Sequence, residues 1–165
     1  MGKGLQVYSE RCIGCRSCEM ACSFEKEGQF RPSLSRIGVL ISQVDTVCFP
    51  VICFQCRDAP CLEACPVGAI ERDGDSGVVR VNEGDCTGCG QCVSACSFGS
   101  ILFDVEEGKA KKCDLCEGKP ACVEFCPTHA IAYLEKKKPF RAKKAESNRF
   151  YGMLSAFRMR EQASR

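Results

Sequence analysis

Apolar residues along the chain come in short runs, separated by cysteine-rich stretches and charged turns. Alternation and β-branched content predict strands at Gln6–Tyr8, Gly38–Ser42, Gly77–Val81, Ile101–Asp104 and Ile131–Leu134. Each cysteine-rich stretch predicts a loop followed by a single helical turn. A sustained helical period appears in Ala145–Ala163, where Phe150, Leu154 and Phe157 recur at i, i+4, i+7 with Met153 beside them. The longest apolar stretch, Val47–Phe54, is far below the roughly 20 residues that cross a bilayer, so no direct membrane span is expected. Apolar runs this short make a small core for 165 residues, and something other than side-chain packing must help to hold the fold.

The cysteines supply it. Seventeen are present, and sixteen fall into four quartets. Cys12, Cys15, Cys18 and Cys22 are spaced C-x2-C-x2-C-x3-C, and Cys86, Cys89, Cys92 and Cys96 repeat that spacing. Cys53, Cys56, Cys61 and Cys65 are spaced C-x2-C-x4-C-x3-C and are followed by Pro66. Cys113, Cys116, Cys122 and Cys126 are spaced C-x2-C-x5-C-x3-C and are followed by Pro127. Compact and expanded quartets alternate, an internal repeat that predicts two tandem ferredoxin-like units. Three close cysteines wrap one cubane on a tight loop whose amides point at the sulfurs. The fourth cannot reach back, and in two-cluster ferredoxins it binds the other cluster. Gly14, Gly88 and Gly90 suit a close approach of backbone to cluster. Pro66 and Pro127 fix φ where the chain turns, whereas Ser23 and Ser97 stand at the matching positions of the compact quartets. Spacing alone permits neighbouring quartets to share ligands as readily as distant ones.

Other uses of so many cysteines fit less well. The count is odd, and the start MGKGLQVYSERC has no apolar signal region, so a disulfide scaffold is not expected and a cytoplasmic chain with reduced thiols is. Zinc uses paired C-x2-C elements but gains nothing from a C-x2-C-x2-C-x3-C run. The expected cofactors are four [4Fe–4S] clusters, with an iron-free chain largely unfolded. Clusters also change the charge. The formal +2 treats thiols as neutral; sixteen thiolates and four oxidised cores bring the loaded chain to roughly −6. Cys48, in the apolar run Thr46–Pro50, reads as a small buried hydrophobe. His129, the sole histidine, reads as a side chain beside a turn, with potential tuning or proton relay as its functional alternative. Gly74–Gly77 reads as a turn and not a dinucleotide loop. No triad and no flavin, pterin or nucleotide motif stands in the sequence, so independent catalysis is not expected.

Beyond the quartets, the segments CIGCRSCEMACS, CFQCRDAPCLEACPVGAI, CTGCGQCVSACSFGSI and KKCDLCEGKPACVEFCPTHAI, with the stretch Glu27–Ile37, carry a family likeness. The chain resembles the four-cluster iron–sulfur subunits of molybdenum and tungsten oxidoreductases, the dimethyl sulfoxide reductase iron–sulfur subunit superfamily. With its EGxFxPxxSRI stretch it looks most like the small electron-transfer subunit of tungsten aldehyde oxidoreductases, and it is also similar to the iron–sulfur partner of benzoyl-CoA reductases. The likeness covers about residues 5–134. It implies that the quartets pair first with fourth and second with third. Cluster 1 would then be held by Cys12, Cys15, Cys18 and Cys126, and cluster 2 by Cys113, Cys116, Cys122 and Cys22. Cluster 3 would be held by Cys53, Cys56, Cys61 and Cys96, and cluster 4 by Cys86, Cys89, Cys92 and Cys65.

The expected fold is α+β, with tandem bacterial ferredoxin-like units in residues 1–134, small, loop-rich and cluster-stapled, and a basic helical tail in residues 135–165. That tail holds ten Lys/Arg against three Asp/Glu, while the body is acidic, so a nucleic-acid role is not expected and docking to an acidic protein surface is. The tail helix either folds back on its own body or docks another subunit. The resemblance implies a non-catalytic relay. It would pass single electrons between a tungsten- or molybdenum-pterin catalytic subunit and a flavoprotein or ferredoxin acceptor, with further copies of itself as a possible extension of the wire. Its alternatives are a free polyferredoxin, a subunit of a benzoyl-CoA reductase, formate dehydrogenase or hydrogenase complex, and a zinc-scaffolded interaction module.

Overall fold

The computed structural model describes residues 3–42 and 47–135. The predicted tail helix Ala145–Ala163 and its apolar stripe lie outside the described residues. Eight short strands run in chain order: β1 Lys3–Val7, β2 Gly38–Ile41, β3 Cys48–Val51, β4 Ile70–Arg72, β5 Val79–Val81, β6 Ile101–Asp104, β7 Lys109–Lys112 and β8 Ile131–Glu135. Four helices accompany them: α1 Ser17–Glu27, α2 Pro60–Glu63, α3 Gln91–Ala95 and α4 Ala121–Glu124.

The strands form four separate two-stranded antiparallel sheets, β1–β8, β2–β3, β4–β5 and β6–β7. The first of these sets the topology. Val7 stands opposite Ile131 and Lys3 opposite Glu135, so the two ends of the described body meet. The first and fourth quartets therefore share one unit, and the second and third form another inserted within it. This is the expected α+β tandem ferredoxin-like fold, with its two units nested. Helices repeat the arrangement, α1 packing on α4 and α2 on α3.

Local chemistry explains the element lengths. Pro66 and Pro127 follow the fourth cysteines of the expanded quartets, and α2 and α4 stop after one turn. In the first quartet Ser23 stands there instead. Helix α1 continues through Glu25, Lys26 and Glu27, until Gly28 ends it with φ +67° and its amide bonded to the Phe24 carbonyl at 2.8 Å. The Asp73–Gly77 turn joins β4 to β5, with the Asp73 carboxylate accepting from the Ser76 amide at 2.7 Å.

Three apolar clusters fill the described body, a small one around Leu40 and Val51 and two larger ones that include cysteines. One joins Cys18, Cys22, Cys122 and Cys126 to Ile37, Val39, Ile52, Ala130 and Ile131. The other joins Cys61 and Cys92 to Ala59, Ile70, Val79, Ile101 and Ala110. Within the inserted unit the rings of Phe54 and Phe98 meet edge to face, with centroids 4.6 Å apart. Charge fastens the units: Lys111 reaches Glu27 at 3.7 Å, and Arg36, which also pairs with Glu27, reaches Glu83 at 3.8 Å. Arg36 and Lys111 are both buried.

Candidate iron–sulfur centres

Each quartet opens with a C-x-x-C loop, and the residue before its second cysteine is left-handed in all four. Gly14 has φ +69°, Gln55 +48°, Gly88 +73° and Leu115 +64°. That geometry curls the loop so that successive amides face inward, the concave arrangement that binds anions. At two of these positions only glycine fits. A Cβ at Gly14 would lie 2.7 Å from the Cys48 sulfur, and one at Gly88 would lie 2.2 Å from the Gly108 carbonyl oxygen. A second repeated slot lies three residues after the fourth cysteine. Gly68, Gly99 and His129 occupy it with φ +66°, +60° and +51°. Their amides close the turn onto the carbonyls of Cys65, Cys96 and Cys126 at 3.1–3.3 Å. His129 is exposed and takes a backbone position that glycine fills in two other quartets.

The folded chain brings thiols of different quartets near one another. Cys12 lies within electrostatic reach of Cys15 and Cys126, and Cys18 within reach of Cys12 and Cys126. Cys122 is in reach of Cys113, Cys22 and Cys116. A cavity of about 150 Å³ is lined by Cys53, Cys56, Cys61 and Cys96. A smaller one is lined by Cys65, Cys86, Cys89 and Cys92. The groups succeed one another in space. Cys122 also feels Cys18, Cys113 also feels Cys53, and Cys61, Cys65, Cys92 and Cys96 share one core.

Burial is the largest influence on nine of these thiols. It pushes Cys18 up to about 12, and raises Cys113 and Cys122 further. Cys12, Cys56, Cys61, Cys92 and Cys116 are raised for the same reason. Backbone amides work against it: Gly14 donates to Cys12, Glu19 to Cys18, Leu115 to Cys113 and Ala121 to Cys116. At Cys126 the donors win. Burial still opposes ionisation, but the amides of Ile131, Ala130 and Thr128 and the Thr128 hydroxyl hold this thiol below its ordinary value. The Ala130 amide stands 3.3 Å from its sulfur, and the Arg36 amide stands 3.3 Å from the Cys22 sulfur.

A buried thiol whose ionisation is opposed in this way is held as a thiolate by a positive centre beside it. Among the described residues, no three or more His, Cys, Asp or Glu side chains converge on a single metal ion. The sulfurs ring cavities with amides aimed at them, and this donor set fits thiolate-ligated iron–sulfur clusters.

Cys48 lies in β3, half-buried against Gly14 and within reach of Cys12, where full burial was expected. The Glu27–Ile37 stretch also has a structural reading. Gly28 caps α1, Phe30 stacks on Phe24 at 4.7 Å, Arg36 pairs with Glu27, and the Arg36 backbone serves Cys22. Sequence reasoning missed Gln55 and Lys112, both buried beside the Cys113 carbonyl. Gln55 carried no sequence signal, and Lys112 looked like surface charge.

The chain matches the 4Fe-4S dicluster domain family over residues 44–136, and a 4Fe-4S binding domain over residues 9–25. It belongs to the 4Fe-4S dicluster family. It is 44% identical over 120 residues to the polyferredoxin-like subunit of the aliphatic sulfonate oxidoreductase of Pyrococcus furiosus, covering 73% of this chain and 69% of that one. It is 37% identical over 163 residues to the electron transport protein HydN of Escherichia coli K12, covering 84% of this chain and 91% of that one. Among solved structures it aligns with the BamBC active site complex of benzoyl-CoA reductase as isolated. That alignment has a TM-score of 0.49 and 21% identity, over 99% of this chain and 97% of that one.

Proposed function

We propose that this chain is a non-catalytic electron-transfer subunit of an oxidoreductase complex, holding four [4Fe–4S] clusters in a row. Cys12, Cys15, Cys18 and Cys126 hold the first. Cys113, Cys116, Cys122 and Cys22 hold the second. Cys53, Cys56, Cys61 and Cys96 hold the third, and Cys86, Cys89, Cys92 and Cys65 the fourth. The observation that carries this reading is the succession of four thiol groups, with Cys113 and Cys53 within reach across the junction of the two units. When bound, each cluster takes up or gives back one electron. The chain's residues hold the sulfurs as thiolates, donate amide hydrogen bonds to them, and exclude water with Ile52, Val79, Leu115 and Ile131.

The partners proposed are a tungsten- or molybdenum-pterin catalytic subunit, best an aldehyde oxidoreductase, and a flavoprotein or ferredoxin acceptor, in the cytoplasm. The family resemblance supports this choice, and so does the likeness to a named oxidoreductase subunit. Among the described residues no helix is long and apolar enough to cross a membrane. The basic tail is the proposed docking element. Strand β8 runs through Glu135, which stands opposite Lys3.

The test is anaerobic purification of the native complex through this chain. A larger subunit containing tungsten or molybdenum is expected, and its substrate should bleach the brown absorption of this chain. A chain truncated after Glu135 should keep its iron and lose that subunit. Full-length chain that purifies alone, with its iron intact, would support the free polyferredoxin and contradict the subunit reading.

A further inference from the structure

Lys26, Lys111 and Lys112 are partly or wholly buried, and they differ in what balances their charge. Lys26 pairs with Asp114 at 2.7 Å. Lys111 pairs with Glu107 at 2.6 Å and Glu83 at 3.2 Å. Lys112 is 8% exposed, and no carboxylate among the described residues pairs with it. Its ammonium donates to the Val79 carbonyl at 2.5 Å, the Cys113 carbonyl at 3.3 Å and the Gln55 side-chain oxygen at 3.3 Å. Those three oxygens match its three hydrogens, so hydrogen bonding is satisfied. None of them is an anion, so the charge is not. A buried cation without a counter-charge is strongly disfavoured.

The missing anion has an address. Lys112 lines the cavity that Cys53, Cys56, Cys61 and Cys96 surround, where the one carboxylate of the lining, Asp58, is not within ion-pair distance of it. It follows in β7 directly before Cys113, at the junction of the two units. Gln55 holds it there. The Gln55 amide nitrogen donates to the Cys113 carbonyl at 2.7 Å, and its oxygen accepts from the Val79 amide at 2.8 Å. The same ammonium favours ionisation of Cys61, Cys56 and Cys113, while burial remains the larger influence on each.

We propose that Lys112 is the built-in counter-charge of the third cluster and raises its reduction potential, with Gln55 as the residue that positions it. The inference rests on the four-cluster reading. A [4Fe–4S] core with four thiolates carries roughly −2, and one added electron takes it to about −3. A fixed positive charge on the cavity wall stabilises the more negative form. Lys111 and Lys26, already neutralised by carboxylates, exert far less of this pull.

The test uses the full, iron-loaded chain, with potentials read by electron paramagnetic resonance during anaerobic titration and dithionite supplying the electrons. Lys112→Met is expected to keep the iron and sulfide content while one potential falls. The reduction equilibrium of that centre should shift by about tenfold, which is ~59 mV for one electron. Lys112→Arg should keep the wild-type potential. Gln55→Glu places a carboxylate beside the ammonium and should lower the same potential without deleting the lysine. If Lys112→Met loses iron, Gln55→Glu decides. Iron-replete variants whose potentials all match the wild type would overturn the inference and leave the four-cluster reading intact. So would an arginine variant as low as the methionine one. A wild-type chain without iron would instead contradict the four-cluster reading.

Discussion

Stripping the iron from the folded protein under anaerobic oxidation with a chelator is expected to abolish most of its structure. Four of the nine residues in the larger apolar cluster are cysteines, and the second cluster is flanked by Cys65, Cys86 and Cys96. No sheet among the described residues exceeds two strands, and α2, α3 and α4 are four or five residues long. Elements of that size are not stable alone in water. A structural metal site contributes about 10–16 kcal/mol in small metal-dependent domains, against the roughly 5–15 kcal/mol that keeps a whole domain folded. Circular dichroism should show loss of most helical signal, and limited proteolysis should cut throughout residues 3–135. An iron-free chain with native dichroism and native protease resistance would contradict the idea that the clusters form the core.

The second large effect concerns ligand crossing. Cys22 belongs to the first quartet by sequence but lies within electrostatic reach of Cys113, Cys116 and Cys122. Cys22→Ala is therefore expected to cost the cluster of the fourth quartet, about four iron of sixteen, and to leave the one held by Cys12, Cys15 and Cys18. Combining variants makes the assignment. Adding Cys116→Ala to Cys22→Ala should remove no further iron, because both act on one cluster. Adding Cys15→Ala should remove about four more, because it acts on another. The reverse pattern, non-additive with Cys15 and additive with Cys116, would mean that each quartet holds its own cluster.

The quartets and most strands are visible in the sequence because their signals are local. Ile101–Asp104 is a strand at the predicted bounds, and Gly38, Val79–Val81 and Ile131 fall in strands where alternation placed them. Three strands were missed for identifiable reasons. Strand β3 contains Pro50, which lacks an amide donor and reads as a break, yet it is tolerated on a two-stranded edge opposite Val39. Strand β4 has only three residues. Strand β7 is Lys-Ala-Lys-Lys, which reads as a charged turn, although Ala110, Lys111 and Lys112 are all buried.

The site shows the same division. Gly14 and Gly88 marked two of the four C-x-x-C turns. Gln55 and Leu115 hold the same left-handed slot with side chains that sequence patterns do not associate with it. The grouping of thiols depends on contacts between residues 12–22 and 113–126, around an inserted unit. Spacing carries no information about that, and the pairing is what the family resemblance implies. Buried ion pairs such as Arg36 with Glu27 look like ordinary surface charge until the fold encloses them.

The most direct test of the central claim is a count of iron and acid-labile sulfide on anaerobically purified protein. Four cubanes predict about sixteen of each per chain, with brown colour and a reduced-state paramagnetic resonance spectrum showing interacting centres. About four zinc per chain with no sulfide would contradict the account.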